Sequence, residues 1–313
     1  MRIEKSCIAI DVGGTKMLIA EVMDNGTICD IKRIPTGRLN QRQLIGLMTQ
    51  GVLDYEKEIG WQSGKRPESM GIGIVGLIDP VKGIWHKIDQ EFAEELPLTD
   101  IMKRCFNLEC YIDNDVKSAT IAEGVYGAGK GISEFIYINV GTGLAAGMVA
   151  GGKLVRGRDG YAGEIGYMDF NMGKGPHLES IASGVGLNRR MKELLPEYPD
   201  SHLNQHINEI ISGHQVFCYA DQGDLLAKRL LDDIVFIIAQ LINNLTCAFS
   251  PEKVVLGGGL VSNGILIERI RQEVKPSVYS HMSGGIVLSE LDPAYTGLVG
   301  AAAVGFGNQK NYF

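Results

Sequence analysis

No CxC or CxxC pair occurs among the six cysteines (Cys7, Cys29, Cys105, Cys110, Cys218, Cys247), so the chain offers neither a thiolate metal clamp nor a vicinal redox couple. Scattered thiols of this kind are expected to be mostly buried, in a reducing cytoplasm. Long apolar runs are also missing. The longest in the most helical region, IVFIIA at 234 to 239, falls far short of the ~20 residues that span a bilayer, so no membrane partner is expected. Positive charge is in deficit: 30 Lys and Arg against 37 Asp and Glu give a net charge of -7. That balance disfavours a nucleic-acid partner, because such binding rests on phosphate neutralisation by Lys and Arg. The N-terminal MRIEKSCIAIDVGG enters a strand pattern almost at once, so neither a signal peptide nor an N-terminal DNA-binding module is expected.

Glycine, by contrast, is abundant: 41 in 313 residues, nearly twice the usual share of ~7%. Tight backbone approaches are the expected use. The length exceeds the usual single-domain size, so two lobes are predicted. CIAIDVGG, TKMLIAEVMD and TICDIKRIP read as three strands, the last two joined by an Asn25-Gly26 hairpin turn. A helix follows over 40 to 59, its apolar stripe carried by Leu44, Leu47, Met48, Leu53 and Tyr55. Next come a strand at 70 to 78, a helix near 98 to 106, a strand at ECYID and a helix from about Val116 to Tyr126. This βββαβαβα order argues for a mixed sheet covered by helices. From Phe135 the chain repeats its own beginning in outline: Ile138-Asn139-Val140-Gly141 matches Ile10-Asp11-Val12-Gly13, each followed by a turn, a strand and a glycine hairpin. Residues 178 to 249 are mainly helical scaffold, and VVLGGG at 254 to 259 is a buried strand entering a glycine turn.

Three glycine-rich sites compete for a nucleotide. Gly124 to Lys130 fits G-x-x-x-x-G-K, but Gly131 stands where a P-loop needs Ser or Thr, and the segment leaves a helix instead of a strand. It reads as a helix C-terminal turn. Gly257-Gly258-Gly259 follows a strand, at the position where α/β sheets bind ligands. Asp11-Val12-Gly13-Gly14-Thr15-Lys16 is more specific, because its glycines expose N–H donors, Thr15 adds a hydroxyl and Asp11 stands where hydrated magnesium could be held. Asp115, after the strand YID, is either an acid-base group or an ordinary helix cap, as Asp113 and Asn114 could equally be.

Together these segments resemble the ROK family of sugar kinases and sugar-responsive repressors, within the actin-like ATPase superfamily. The resemblance is carried by IAIDVGGTK (8–16), GIGIVGLIDP (71–80), DNDVKSA (113–119), INVGTG (138–143), AGEIGYM (162–168), LESIASG (178–184), VVLGGG (254–259) and LVGAAAVG (298–305). It implies a two-lobed α/β, ribonuclease H-like fold, each lobe a mixed sheet flanked by helices, with an interlobe cleft. The lobes expected on this basis are residues 1–117 with 299–313, and 118–298. It further implies ATP-dependent phosphorylation of a hexose hydroxyl, O6 by preference, with magnesium, by a cytoplasmic homodimer. Asp11, Gly13, Gly14, Thr15 and Lys16 would form the first phosphate loop, Gly141, Thr142 and Gly143 the second, and Gly257, Gly258 and Gly259 the adenosine pocket. Asn114 matches the sugar-binding Asn, Asp115 the catalytic base, and Glu164 and Glu179 two carboxylates that grip sugar hydroxyls.

The chain departs from the family pattern at Tyr167, where most members have a zinc-binding His followed by a cysteine cluster. With His177 alone and no thiols nearby, a closed tetrahedral site lacks its four ligands, so no structural zinc is expected. Met168, Phe170 and Met172 are expected to pack the segment in its stead. The alternative function is a sugar-sensing regulator without turnover.

Overall fold

The computed structural model describes residues 5–37, 39–87, 94–169 and 176–308. The chain divides into two compact units, one made of Met1–Gly131, Gly152–Ala162 and Ala294–Phe313, the other of Ile132–Gly151 and Gly163–Pro293.

In the first unit β1 (Ser6–Val12), β2 (Lys16–Met23) and β3 (Ile28–Pro35) form the expected antiparallel meander. The positive φ of Gly26 (86°) turns β2 into β3, a conformation that glycine adopts without strain. Parallel pairing of β4 (Ser69–Ile74) with β1, and of β7 (Glu109–Asn114) with β4, completes a mixed sheet of order β3-β2-β1-β4-β7. α1 (Gln41–Glu58) starts at a capping box in which Asn40 and Gln43 satisfy each other's backbone N–H. Its buried stripe is Leu44, Met48, Val52 and Tyr55. Leu53, expected inside, is 47% exposed because it stands one position off that i, i+4 phase. A hairpin, β5 (Leu77–Asp79) with β6 (Ile84–Lys87), stands where the sequence suggested a continued strand and a polar segment. Asp79 Oδ1 accepts the N–H groups of Val81 and Lys82 and turns the chain there.

α2 (Leu98–Phe106) and α3 (Asp115–Tyr126) fall where expected. α3 ends as a helix C-terminal turn, not a P-loop: Gly127 N–H bonds back to Glu123 O, and Glu123 Oε2 accepts Ala128 N–H. The last helix, numbered α9 (Thr296–Gly305), packs on the sheet through Leu298, Ala301 and Ala302, which join Ala9, Leu18, Ala20 and Val22 in one core cluster. Its backbone comes so close to β4 that a Cβ on Gly71 would lie 1.8 Å from Ala301 O.

In the second unit β8 (Phe135–Val140) pairs antiparallel with β9 (Leu144–Ala150) and parallel with β11 (Lys253–Gly257), which pairs parallel with β12 (Gly285–Leu288). The repeated device is therefore present in both units: β1 and β8 each turn tightly into an antiparallel partner and run parallel to a later strand. α4 (Gly184–Leu194), α5 (Gly213–Asp221) and the 25-residue α6 (Leu225–Phe249) are the helical scaffold, with Asp224 capping α6, and two short helices, α7 (Ile267–Glu273) and α8 (Pro276–Tyr279), lead to β12. Among the described residues no helix is long and apolar enough to cross a membrane. The thiols divide against expectation. Cys7 and Cys110 are buried, but Cys105, Cys218 and Cys247 are exposed, because each falls on the outer face of its helix.

Candidate active site

The β1–β2 turn is built from Asp11 to Lys16. Gly13 N–H closes it on Lys16 O at 3.0 Å, and the Thr36 hydroxyl donates to Gly13 O. Gly14, Thr15 and Lys16 are left exposed. Burial pushes the Asp11 carboxyl up to about 7, the facing Asp115 carboxylate adds to the rise and Lys16 opposes it. α9 makes room for this group: a Cβ on Gly297 would lie 2.5 Å from Asp11 Oδ2.

Asp115 is the first residue of α3, and burial holds its pKa above the ordinary carboxylate value despite the opposing pull of the Val116 N–H and Lys117. The cap of α3 is Asn114. Its Oδ1 accepts from Val116 and Lys117 N–H, both at 3.1 Å, and its Nδ2 donates to Gly76 O. The amide is thereby oriented at both ends. Asp113, wholly buried, takes a bidentate grip from Arg156 (2.8 and 2.7 Å) and accepts the Asn114 N–H. Lys117 Nζ donates to Gly160 O at 2.7 Å. A cavity of about 520 Å³ adjoins this turn, walled in part by Leu77, Ile78, Val81, Arg156 and Arg158.

In the second unit the β8–β9 turn carries Gly141, Thr142 and Gly143, with Gly141 N–H closing on Gly143 O. The start of α4 holds it from outside, Gly184 N–H on Gly141 O and Val185 N–H on Thr142 O. Gly258 lies directly against the same strand end: its φ is 92° and a Cβ there would come 2.5 Å from Val140 C and O. The glycine triplet and the β8–β9 turn thus abut. Gly257 closes on Tyr137, while Gly259 faces open space.

Glu179 sits in a short 3-10 turn, Leu178–Ser180, and its Oε2 accepts Leu144 N–H at 2.9 Å. Glu164 precedes a second such turn, Ile165–Tyr167, and the two turns abut, since a Cβ on Gly166 would come 3.0 Å from Glu179 Cβ. Gly163, at φ 96°, bonds Ala146 so closely that a Cβ would lie 2.0 Å from Ala146 O. Tyr167 is 58% exposed and meets His177 edge-on at 6.0 Å. Met168 does not pack inward; it is 45% exposed, and its contribution is a backbone carbonyl that accepts Leu178 N–H. Phe170 and Met172 lie outside the described residues. His177 Nδ1 stands 3.0 Å from Asp169 Oδ1, an exposed pair worth under about 1 kcal/mol.

The sequence profile of the ROK family matches residues 7–305. The chain belongs to the ROK family. It is 31% identical over 290 residues to the glucokinase of Halalkalibacterium halodurans, covering 89% of this chain and 88% of that protein. It superposes on a ROK family glucokinase from Streptomyces griseus, solved with glucose and AMPPNP, with a TM-score of 0.78 at 26% identity, covering 96% and 99% of the two chains. It is also 24% identical to the transcriptional regulator NagC of Escherichia coli, over 84% of this chain and 65% of that one. The mixed sheets of this ROK chain follow the actin-like ATPase fold. The glycine loops after β1, β8 and β11 are legible in the sequence, whereas Arg156 and Lys117 are not. The alternating charges of RGRDG were the available signal, and nothing in their spacing names Asp113 as a partner.

Proposed function

We propose that this chain is an ATP-dependent sugar kinase that transfers the γ-phosphoryl group to a hexose hydroxyl, O6 in the first instance, with Asp115 as general base. The observation that carries this reading is a carboxylate at the first position of α3, with its pKa raised by burial, on a helix start whose cap is fixed at both ends. A base whose pKa is moved toward neutrality accepts a hydroxyl proton more effectively, typically with a ~10²- to 10⁴-fold effect on rate. Phosphoryl transfer otherwise requires positioning and charge neutralisation. The Gly13 and Gly141 N–H groups close the two turns, and the backbone at Gly14 and Gly143, with the Thr15 and Thr142 hydroxyls and Lys16, supplies donors to phosphate oxygens. Gly257, Gly258 and Gly259 admit the adenosine. Glu164, Glu179, Asn114 and Tyr167 read the sugar hydroxyls.

Magnesium fits the donor set, because the Asp115 carboxylate lies near enough to raise the pKa of the buried Asp11, and oxygen ligands suit a hard cation. Asp11 would hold it through water, and its chemistry is to neutralise charge on the phosphates. The similarity to the Halalkalibacterium glucokinase supports turnover; the similarity to NagC supports a regulator that binds sugar without it.

The deciding experiment measures ADP release from ATP and magnesium with glucose, mannose, N-acetylglucosamine, N-acetylmannosamine and cellobiose. Stimulation by one or more is expected, and its absence with all five refutes the kinase. Asp115→Asn should abolish the stimulated rate while calorimetric sugar binding persists. We further propose a cytoplasmic homodimer without structural zinc; a solution mass of one chain, 34.0 kDa, or stoichiometric zinc in protein purified without chelator refutes the corresponding part.

A further inference from the structure

Asp115 stands midway between two tethers. Two residues before it, Asp113 is gripped by Arg156; two residues after it, Lys117 reaches Gly160 O. Both tethers end on the same five-residue turn, 156 to 160, and both partners are four positions apart. The turn itself is closed by its own backbone and closely approached by β5. Ala162 N–H closes on Arg156 O, Gly160 has φ 82°, and a Cβ on Gly160 would come within 3.1 Å of Ile78 O in β5.

We propose that the Arg156–Asp113 pair is a positioning device for phosphoryl transfer, locking the 156–160 turn to the strand end so that the Asp115 carboxylate keeps one orientation. This rests on Asp115 being the base. A buried ion pair is a poor stabiliser, because desolvation of both charges offsets most of their attraction. What the arginine fork supplies is geometry: two parallel bonds fix the plane and direction of the Asp113 carboxylate, whose Oδ1 in turn fixes the Asn114 N–H. Asn114 then caps the helix on which Asp115 is the first residue. Lysine at 156 would keep the charge and lose the fork. The pair touches no reacting atom and acts only through the residues that do.

The test uses Arg156→Lys and the double variant Asp113→Asn with Arg156→Met, which removes both buried charges but keeps an acceptor for the Asn114 N–H. Each is assayed with the panel sugar turned over fastest by the wild type. Misplacement of a catalytic group by about 1 Å lowers rate on the order of 10²-fold, so kcat should fall about 10- to 100-fold. Sugar Kd by calorimetry should stay within about 3-fold, a change well below one decade of affinity. A folded variant that keeps the wild-type kcat overturns the proposal, as does one that loses kcat and sugar affinity in equal proportion. If neither variant folds, the pair serves stability and the proposal fails. Asp115→Asn is run beside them. Turnover retained by Asp115→Asn sinks the reading of Asp115 as base; an inactive Asp115→Asn with unimpaired pair variants sinks the positioning role alone.

Discussion

Gly143→Ala is the substitution that most directly probes how Glu179 is held. A Cβ built at this position lies 2.6 Å from Glu179 Oε2 and 3.5 Å from its Cδ. Gly143 has no positive φ, so backbone strain does not enter and the effect is steric. The carboxylate must swing away, and with it goes the bond to Leu144 N–H, a buried donor. Losing a hydrogen bond to a charged group costs about 1.5 to 3 kcal/mol. If Glu179 grips a sugar hydroxyl from its present position, the same displacement raises sugar Kd by about 10- to 100-fold, at ~1.4 kcal/mol per decade. Calorimetry with sugar and thermal melting in its absence read the two effects separately. In a Glu179→Ala background the clash is gone, so Gly143→Ala should add less than about 0.5 kcal/mol. An unchanged Kd and melting temperature in the single variant would refute the reasoning, and so would full additivity in the double.

Asp224→Ala removes the cap of α6, whose carboxylate, raised by burial but lowered more by the Ala227 N–H, the Ser201 hydroxyl and the His202 N–H, ends below its ordinary 3.8. Its folded pKa lies under the unfolded one, so its contribution is present above ~3.8 and lost as pH falls through the folded value. Melting at pH 7 should drop by the equivalent of about 1 to 2 kcal/mol and the difference should shrink at pH 3; a constant difference would contradict the electrostatic account. Gly71→Ala drives a methyl into the backbone carbonyl of Ala301, which cannot rotate away, so a loss of about 3 kcal/mol or more, or failure to fold, is expected. A melting temperature within about 2 °C of wild type would show that α9 yields easily.

Much of this was legible because it is local. The Asn25-Gly26 turn, the capped α1, the apolar phase of α6 and the glycine loops after β1, β8 and β11 are each written in a few adjacent residues. The misses have physical causes too. DPVKG was passed over as a polar segment, yet Asp79 turns it into a hairpin with Gly83 at φ 68°. Leu53 is apolar but exposed by its phase on α1, and Met168 is apolar but exposed in the extended backbone after a short turn, neither of which a list of hydrophobic residues encodes. Residues 152–162 group with the first unit, where Arg156 meets Asp113 across 43 positions. No short-range pattern specifies a pairing at that separation.

The placement of α9 makes the first unit hostage to the order of synthesis. Its sheet is complete by Asn114, but the helix that covers Ala9, Leu18 and Ala20 and leaves space for the Asp11 carboxylate begins only at Thr296. At translation rates of ~5 to 20 residues per second, those apolar residues wait roughly 10 to 40 s for their cover. Over that interval the second unit can emerge and fold while the first stays open along one face. A ribosome stalled between Asn114 and Thr296 would therefore present a formed sheet with an uncovered apolar side, which is a substrate for chaperones and not yet an enzyme.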